Sequence, residues 1–427
     1  MAIAGRARIV TTLGFAQCLA WAASYYLLAV LAVPMARDLR VSVATVFGAF
    51  SVALVVSALA GPRVGRAIDR HGGRPVLVGS NVVFALGLVM LGFARNAAWL
   101  FAAWAVLGIG MASGLYEAAF AALVRIYGQD SRNVITGIAL VGGLASTVGW
   151  PLSAWLETQV GWRGACFAWA ALHMVIGLPL NGSLPKAEAP SGSRPSIAAA
   201  SEVVALPAPA AAARTVVLLS VFYAITWFIS TAMAAHLPRL LVFSGLTLGA
   251  AVGIGALIGP SQVAGRLLEL GFLRRFHPLR SARLGALMQP VGATLLVLAG
   301  PPAALVFAIL HGAGNGILTI AKGTLPLVLF GSQGYGERQG VLTVPARIAQ
   351  ASAPWLFGLC LDRWGANALW VSATLGFLAV AILMFLRESR PPVVAPASLP
   401  SPCQSGDSDT RFRSTGAIHS AGKPSDA

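Results

Sequence analysis

Three charged side chains of this 427-residue chain, Glu117, Lys322 and Arg347, lie well inside long apolar stretches, whereas the other charged residues sit between those stretches or near the chain ends. A charge at the middle of a lipid bilayer costs about 2.5–3.5 kcal/mol on insertion scales, so one kept there is a candidate functional group. One carboxylate and two cations can move a proton, hold an anionic group, or neutralise one another. A desolvated carboxylate whose distance to a cation changes with conformation has a conformation-dependent proton affinity, which makes Glu117 the candidate proton-coupling group. Lys322 is the candidate anchor for an anionic substrate group, or the partner of Glu117 when the site is empty. Arg347, about 8 residues in from the end of its stretch, is shallow enough for its stem to snorkel and is a second candidate substrate contact. His311 and Asn315 share the stretch of Lys322, the first as a candidate proton relay and the second as a candidate polar contact.

These residues need elements to hold them. The chain is 57% apolar and 10% charged, with a mean hydropathy of +0.77. Soluble domains carry about 25% charged residues, so a soluble core is excluded. A spanning helix needs about 20 mostly apolar residues. Stretches of that length occur at about 9–31, 43–62, 75–94, 98–127, 134–156, 164–182, 214–236, 246–265, 282–300, 302–330, 339–361 and 366–386. Backbone polar groups must be satisfied internally in hydrocarbon, so these are expected to be helices. The alternating segments of about 10 residues that a transmembrane barrel requires are absent. The expected fold class is an all-α membrane protein with twelve transmembrane helices.

Orientation follows from the basic residues. With the N-terminus inside, Arg37, Arg40, Arg95, Arg163, Arg239 and Arg363 fall in outer loops, and the other basic residues outside the membrane, 22 of the total of 30, fall in inner segments. Both termini are therefore expected in the cytoplasm, with the chain an integral multi-pass protein of a bacterial inner membrane. The net charge of +16 reflects this bias and attraction to anionic lipid, not nucleic acid. The first apolar run is longer than a signal-peptide core and reads as a retained span. The cysteines, Cys18, Cys166, Cys360 and Cys403, show no metal-ligand spacing, and neither a metal nor a cofactor is expected.

Two segments differ in kind. Residues 183–213 and 387–427 are rich in Pro, Ala and Ser and read as a cytoplasmic linker and a disordered tail. They leave residues 1–182 and 214–386 as two six-helix bundles. The halves echo each other: Ala58-Leu59-Ala60-Gly61-Pro62 recurs as Ala256-Leu257-Ile258-Gly259-Pro260, and Gly65-Arg66-Ala67-Ile68-Asp69 as Gly265-Arg266-Leu267-Leu268-Glu269. Gly108-Ile109-Gly110 matches Gly312-Ala313-Gly314, and Pro34 matches Pro238, both at a shift of 204. Repeats of this kind are how many secondary transporters build a midplane site.

The segment Gly65-Arg66-Ala67-Ile68-Asp69-Arg70-His71-Gly72-Gly73-Arg74 joins the second and third stretches. Its spacing Gly-x-x-x-Asp-Arg-x-Gly-x-Arg resembles the signature loop of the major facilitator superfamily, and the resemblance extends over about residues 1–390. It implies two pseudo-symmetric bundles, alternating access, and a central cavity lined by stretches 1, 4, 7 and 10. Glu117 would then lie about 15 Å, and Lys322 about 12 Å, from the inner ends of facing helices. Gln17, Tyr25 and Tyr26 with Trp21 on the first stretch, and Tyr223 and Trp227 on the seventh, become candidate pocket walls and hydrogen-bonding rim. Gly65 would allow close helix approach, while Asp69, among Arg70, Gly72 and Arg74, would pair with an Arg as a latch on the inner gate. In the second half Glu269 stands for Asp69, but the Gly-x-Arg part is not reproduced. Gly143, Gly149 and Pro151 are similar to the Gly-x-x-x-Gly-Pro packing motif of the antiporter branch, with Trp150 interposed. Trp104 stands where drug–proton antiporters of the superfamily carry an Arg.

No G-x-x-x-x-G-K-[ST] run is present, which disfavours a pump driven directly by ATP, and no H-E-x-x-H or paired intramembrane carboxylates support a membrane enzyme. The leading reading is a secondary active transporter of a small organic solute, proton-coupled, with an anionic substrate and export favoured. One alternative is a multidrug or toxicant efflux antiporter for amphiphilic or cationic compounds. Another, of a different class, is a receptor or scaffold on a transporter fold. The expected partners are a small-molecule substrate, protons and membrane lipids, without nucleic acid, and the chain is expected to be a monomer.

Overall fold

The computed structural model describes residues 3–185 and 209–386, and all regular structure there is helical. The chain runs through α1 (Ile3–Ala22), α2 (Leu27–Asp38), α3 (Val43–His71), α4 (Gly73–Gly92), α5 (Ala97–Gly114), α6 (Tyr116–Tyr127), α7 (Arg132–Gly142), α8 (Ala145–Leu172) and α9 (Leu178–Gly182). It continues through α10 (Pro209–Phe243), α11 (Leu248–Ala256), α12 (Ile258–Gly271), α13 (Pro278–Ala299), α14 (Ala304–Phe330), α15 (Tyr335–Trp364) and α16 (Leu369–Phe385). Helix starts follow local chemistry: the side chains of Ser42, Asn96 and Thr247 accept from the backbone N–H of Thr45, Trp99 and Ala250, satisfying donors that the first turn leaves open.

Nine helical stretches among the described residues are long and apolar enough to cross a membrane. One of them, Ala97–Gly182, has 86 residues. As a straight helix it would extend about 130 Å against about 30 Å of hydrocarbon, so it must double back. Gly128 and Gly161 supply the breaks, with φ of 56° and 69°, values that a residue with a Cβ adopts at a cost.

Most of the expected linker, and all of the expected tail, lie outside the described residues. At the linker's end the expectation is corrected: α10 begins at Pro209, not after Ala213. Proline suits the first helical turn, and the alanines that follow are the strongest helix formers, so the Pro- and Ala-rich composition there extends the helix.

The buried apolar side chains form two clusters. One runs from Ile9 to Leu184 and takes in Ile320, Leu327 and Tyr335, and the other runs from Leu219 to Leu386. Equivalent glycines do equivalent packing in the two. A Cβ on Gly108 of α5 would meet the Ala53 carbonyl of α3 at 2.5 Å, and one on Gly312 of α14 would meet the Ile258 carbonyl of α12 at 2.7 Å. Two residues on, Gly110 abuts Phe84 of α4, while Gly314 abuts the Gly285 carbonyl of α13. Small residues let helix backbones approach where the bilayer supplies no hydrophobic drive between helices. We expect Gly108→Val to lower the melting temperature of the purified protein by several degrees, read by thermal unfolding in detergent. The same change at Gly79, where a Cβ would meet open space, is expected to leave it unchanged within error.

Candidate functional site

Two interruptions in otherwise helical stretches build the site. Between α1 and α2 the chain loosens at Ala23–Tyr26: Ser24 Oγ bonds back to the Ala20 carbonyl at 2.6 Å, and the Tyr26 N–H reaches the Trp21 carbonyl at 3.2 Å, five residues back. This turns the Tyr25 hydroxyl towards α15. Between α5 and α6, Leu115 is extended, with φ −87° and ψ −173°. Gln17 Nε2 donates to the Gly114 carbonyl at 2.7 Å, satisfying an acceptor at the break. Glu117 therefore stands in the first turn of α6, where the helix dipole favours its negative charge. The sequence led one to expect an unbroken helix over 98–127. The break depends on a glutamine 97 residues away and on a glycine backed against Ser80 and Phe84.

Glu117 pairs with Arg347, whose Nη2 lies 2.9 Å from its Oε1. Of the two roles open to Lys322, the direct salt bridge to Glu117 is therefore not formed here. The expectation that Arg347 snorkels is corrected: its side chain is only 4% exposed. Arg347 donates to Gln350 Oε1 at 3.0 Å and to the Tyr25 hydroxyl, which itself donates to Gln350. Its guanidinium also faces the Tyr25 and Trp227 rings. The outward path is shut because α3 and α15 pack along an antiparallel seam. In that seam Gly61 lies against Gly340, and Ser51 Oγ donates to the Ala351 carbonyl at 3.2 Å.

Lys322 makes no ion pair or Nζ hydrogen bond among the described residues. Its Nζ lies over the Trp227 ring, 4.2 Å from the centroid. It faces a small cavity lined by Tyr116, Glu117, Phe120, Tyr223, Trp227 and Thr319 among others. A second small cavity adjoins it and shares Glu117 and Thr343, with Arg347 on its wall. Pro326 shapes this region. It lacks the N–H that would bond to the Lys322 carbonyl, which instead accepts from the Tyr223 hydroxyl at 2.6 Å and Gln339 Nε2 at 3.4 Å. The Tyr223 hydroxyl is thereby occupied, and its ring serves as wall.

The other candidates fall away from the cavities. Gln17 is fully buried at the α5–α6 break. Tyr26 packs edge-on against Trp150. Asn315 accepts from Ser230 Oγ at 2.9 Å. His311 lies about three turns from Lys322, stacked on Phe307, and lines neither cavity. Reasoning from sequence missed Phe120, Tyr116 and Thr319. The two aromatics flank Glu117 at helical spacing, a signal that spacing on the same stretch could have given.

At the far end of the α3–α15 seam, Asp69 makes no direct salt bridge to an Arg among the described residues, although Arg338 is close enough to act on it electrostatically. Its two carboxylate oxygens accept the backbone N–H of Gly336 and Glu337 at 2.9 and 2.8 Å, capping the start of α15. Arg66 binds Glu337 at 2.7 Å. A Cβ on Gly65 would overlap the Gly336 carbonyl, so only glycine allows this contact. Gly72, with φ 84°, ends α3, and Arg70 and Arg74 form no ion pair among the described residues. In the second half Glu269, 2% exposed, binds Arg132 at 2.9 Å, tying α12 to α7 without any Gly-x-Arg sequence. Gly149 abuts Ala22, Pro151 sits inside α8, and Gly143 leaves room for the guanidinium of Arg266.

Comparison with known proteins agrees with this architecture. The family model of the Major Facilitator Superfamily matches residues 13–288. The gentisate transporter of Corynebacterium glutamicum is 25% identical over 381 residues, covering 83% of this chain and 82% of that protein. The 3-(3-hydroxy-phenyl)propionate transporter of Escherichia coli K12 is 25% identical over 374 residues, covering 83% and 86%. Among solved structures, the E. coli fucose:proton symporter superposes with a TM-score of 0.71 at 14% identity, covering 91% of this chain and 99% of its own. With its helical membrane-spanning stretches, small-residue helix contacts and capped α3–α15 junction, the chain belongs to the Major Facilitator Superfamily of transporters.

Proposed function

We propose that this chain is a proton-coupled secondary transporter of a small aromatic carboxylate. The observation that carries the reading is Lys322: a cation, 7% exposed, in no direct salt bridge among the described residues, at the wall of a cavity that also presents Glu117, Trp227, Tyr223, Tyr116 and Phe120. A buried ammonium left without an anion is unfavourable by several kcal/mol, which a substrate carboxylate would relieve. The aromatic walls suit a ring, with Trp227 already presenting its face to a cation. The two relatives named above are transporters of aromatic acids, in keeping with this chemistry.

Proton coupling follows from the charges. Lys322 and Arg347 against Glu117 leave one excess positive charge in the empty site. A bound carboxylate alone would cancel it. A carboxylate together with a proton on Glu117 restores it, so the loaded and empty carriers present the same net charge to the membrane. Protonation also releases Arg347 from its ion pair, which gives the substrate a second cation. With both termini in the cytoplasm, the Asp69 cap on α15 closes the inner side, and its release opens that side in an alternating-access cycle. Gly143 and Gly149 pack closely, against Arg266 and Ala22, as the small-residue motif of the antiporter branch would require. An amphiphilic or cationic drug would find an unpaired cation at the cavity wall, which disfavours the efflux alternative.

Three outcomes test this reading. Lys322→Ala should weaken binding of benzoate-type acids about 10- to 100-fold, the equivalent of a lost charge-assisted contact, as measured by transport KM or ligand-induced thermal shift. An unchanged affinity would refute the anchor. Glu117→Gln should abolish accumulation driven by a proton gradient in proteoliposomes and leave substrate counterflow intact; loss of both, at normal expression, would make Glu117 structural. Asp69→Asn should lower turnover several-fold with the substrate Kd within about twofold, since the amide keeps one acceptor for α15 but loses the second N–H bond and the negative charge. Unaltered turnover would reduce the loop to a topogenic role.

A further inference from the structure

Arg266 is the second buried cation to which the structure gives no partner. It is 5% exposed, its Nε is shut off from any acceptor, and it makes no hydrogen bond or ion pair among the described residues. Its counterpart in the first half, Arg66, binds Glu337. Glu337 has no acidic counterpart in the first half: the shift of 200 that relates Arg66 to Arg266 leads from Glu337 to Gly137, and the shift of 204 leads to Asn133. Glu269, one turn along α12, gives Oε1 to Arg132 and leaves Oε2 unpartnered, and it does not pair with Arg266. The group is nonetheless accommodated: Gly143 leaves the volume that the guanidinium occupies, and a Cβ there would overlap Nη1.

The position relates Arg266 to the cavity. Tyr116 lines the Lys322 cavity. Its hydroxyl donates to the Ala139 carbonyl at 3.3 Å and would lie 2.6 Å from a Cβ on Gly142. Gly143, the next residue, faces Arg266. On the other side stands the Glu269–Arg132 pair that ties α12 to α7. Arg266 therefore lies between the cavity wall and one of the two contacts that join the halves at the end carrying Asp69. A guanidinium is a planar, always-charged fork matched to a carboxylate, and without one it bears an uncompensated desolvation cost.

We propose that Arg266 is a second anion site, which takes the substrate's carboxylate as it passes between Lys322 and the cytoplasm, with Tyr116 as the partition between the two stations. The proposal rests on the aromatic-carboxylate reading above. It is tested by benzoate-dependent thermal shifts of the purified full-length wild type and of Lys322→Ala, Arg266→Gln, the double variant, Arg266→Lys and Gly143→Ala. The expected result is that Lys322→Ala retains a residual benzoate shift, which the double variant loses. Arg266→Lys should keep part of it. Gly143→Ala in the Lys322→Ala background should abolish it by displacing the guanidinium, and this variant tests the same contact should Arg266→Gln not fold. If Lys322→Ala alone removes the whole shift, the Arg266 site is overturned and the transport reading stands. If Arg266→Gln alone removes the whole shift and Lys322→Ala none, the Arg266 site stands and the Lys322 anchor falls. If benzoate does not shift the wild type, both fall.

Discussion

The Glu117–Arg347 ion pair is the constraint from which the rest of the site follows. A guanidinium taken out of water loses several kcal/mol of solvation, and only a close carboxylate with further hydrogen bonds offsets it. Arg347 has all of these, in Glu117, the Tyr25 hydroxyl and Gln350. Gln350 stands one turn along the same helix, and the other two depend on a local departure from helix. Tyr25 reaches α15 because the chain loosens between α1 and α2, and Glu117 starts a new helix because α5 ends at Gly114. Gln17 ties the two breaks together, since it stands on α1 and bonds the carbonyl where α5 stops. The pair and its hydrogen bonds thus hold two stretches of chain from the first half, at Tyr25 and Glu117, against α15 of the second.

That commitment of Glu117 leaves Lys322 without a direct salt bridge among the described residues, and in the proposed cycle another anion takes that place. The Trp227 ring lies between the two cations, 4.2 Å from Lys322 Nζ and 5.3 Å from Arg347 Cζ. A cation–π contact contributes about 0.5–2 kcal/mol, less than the desolvation of a buried ammonium, so the ring orients Lys322 without replacing an ionic partner. Under the proposed function, electrical asymmetry is the feature that selects the substrate. A cavity of this shape with neutral walls would accept many apolar solutes; one excess cation beside aromatic rings discriminates by charge.

Hydropathy alone made the membrane-spanning helices legible, since a bilayer admits no other backbone state for such stretches. Counting charges within them found Glu117, Lys322 and Arg347. Their pairing was not legible, because depth along a helix is only one of two coordinates. Under the shift of 204, Glu117 aligns with Ala321, and the single residue to Lys322 is a rotation of about 100° about the helix axis. Depth likewise suggested that Arg347 could snorkel, but the escape is closed by the Gly61–Gly340 contact, a tertiary fact. The helix breaks carry no proline at Ala23–Tyr26 or Leu115. Their cause is a set of side-chain bonds formed only on folding. The Asp69 cap was legible in its residues but not in its partner, because backbone N–H groups at a helix start leave no mark in sequence.

Site and gate share one element. α15 carries Gly336 and Glu337, which Asp69 caps, and, about three turns on, Arg347, which Glu117 holds. Between them the seam is glycine against glycine at Gly61 and Gly340, a contact of backbone on backbone that a small separation destroys and that no side chain can stretch to bridge. Under the proposed cycle this makes the closed arrangement steep in energy. Losing the cap at one end and neutralising Glu117 at the other weaken the same interface. Pro345 sits between the two contacts and removes a backbone bond, so α15 can bend there and part from α3 at Gly336 before Arg347 moves. A proton on Glu117 and a carboxylate on the cavity cations would then relax the second contact, and substrate occupancy and opening of the inner side become one linked step instead of two independent ones.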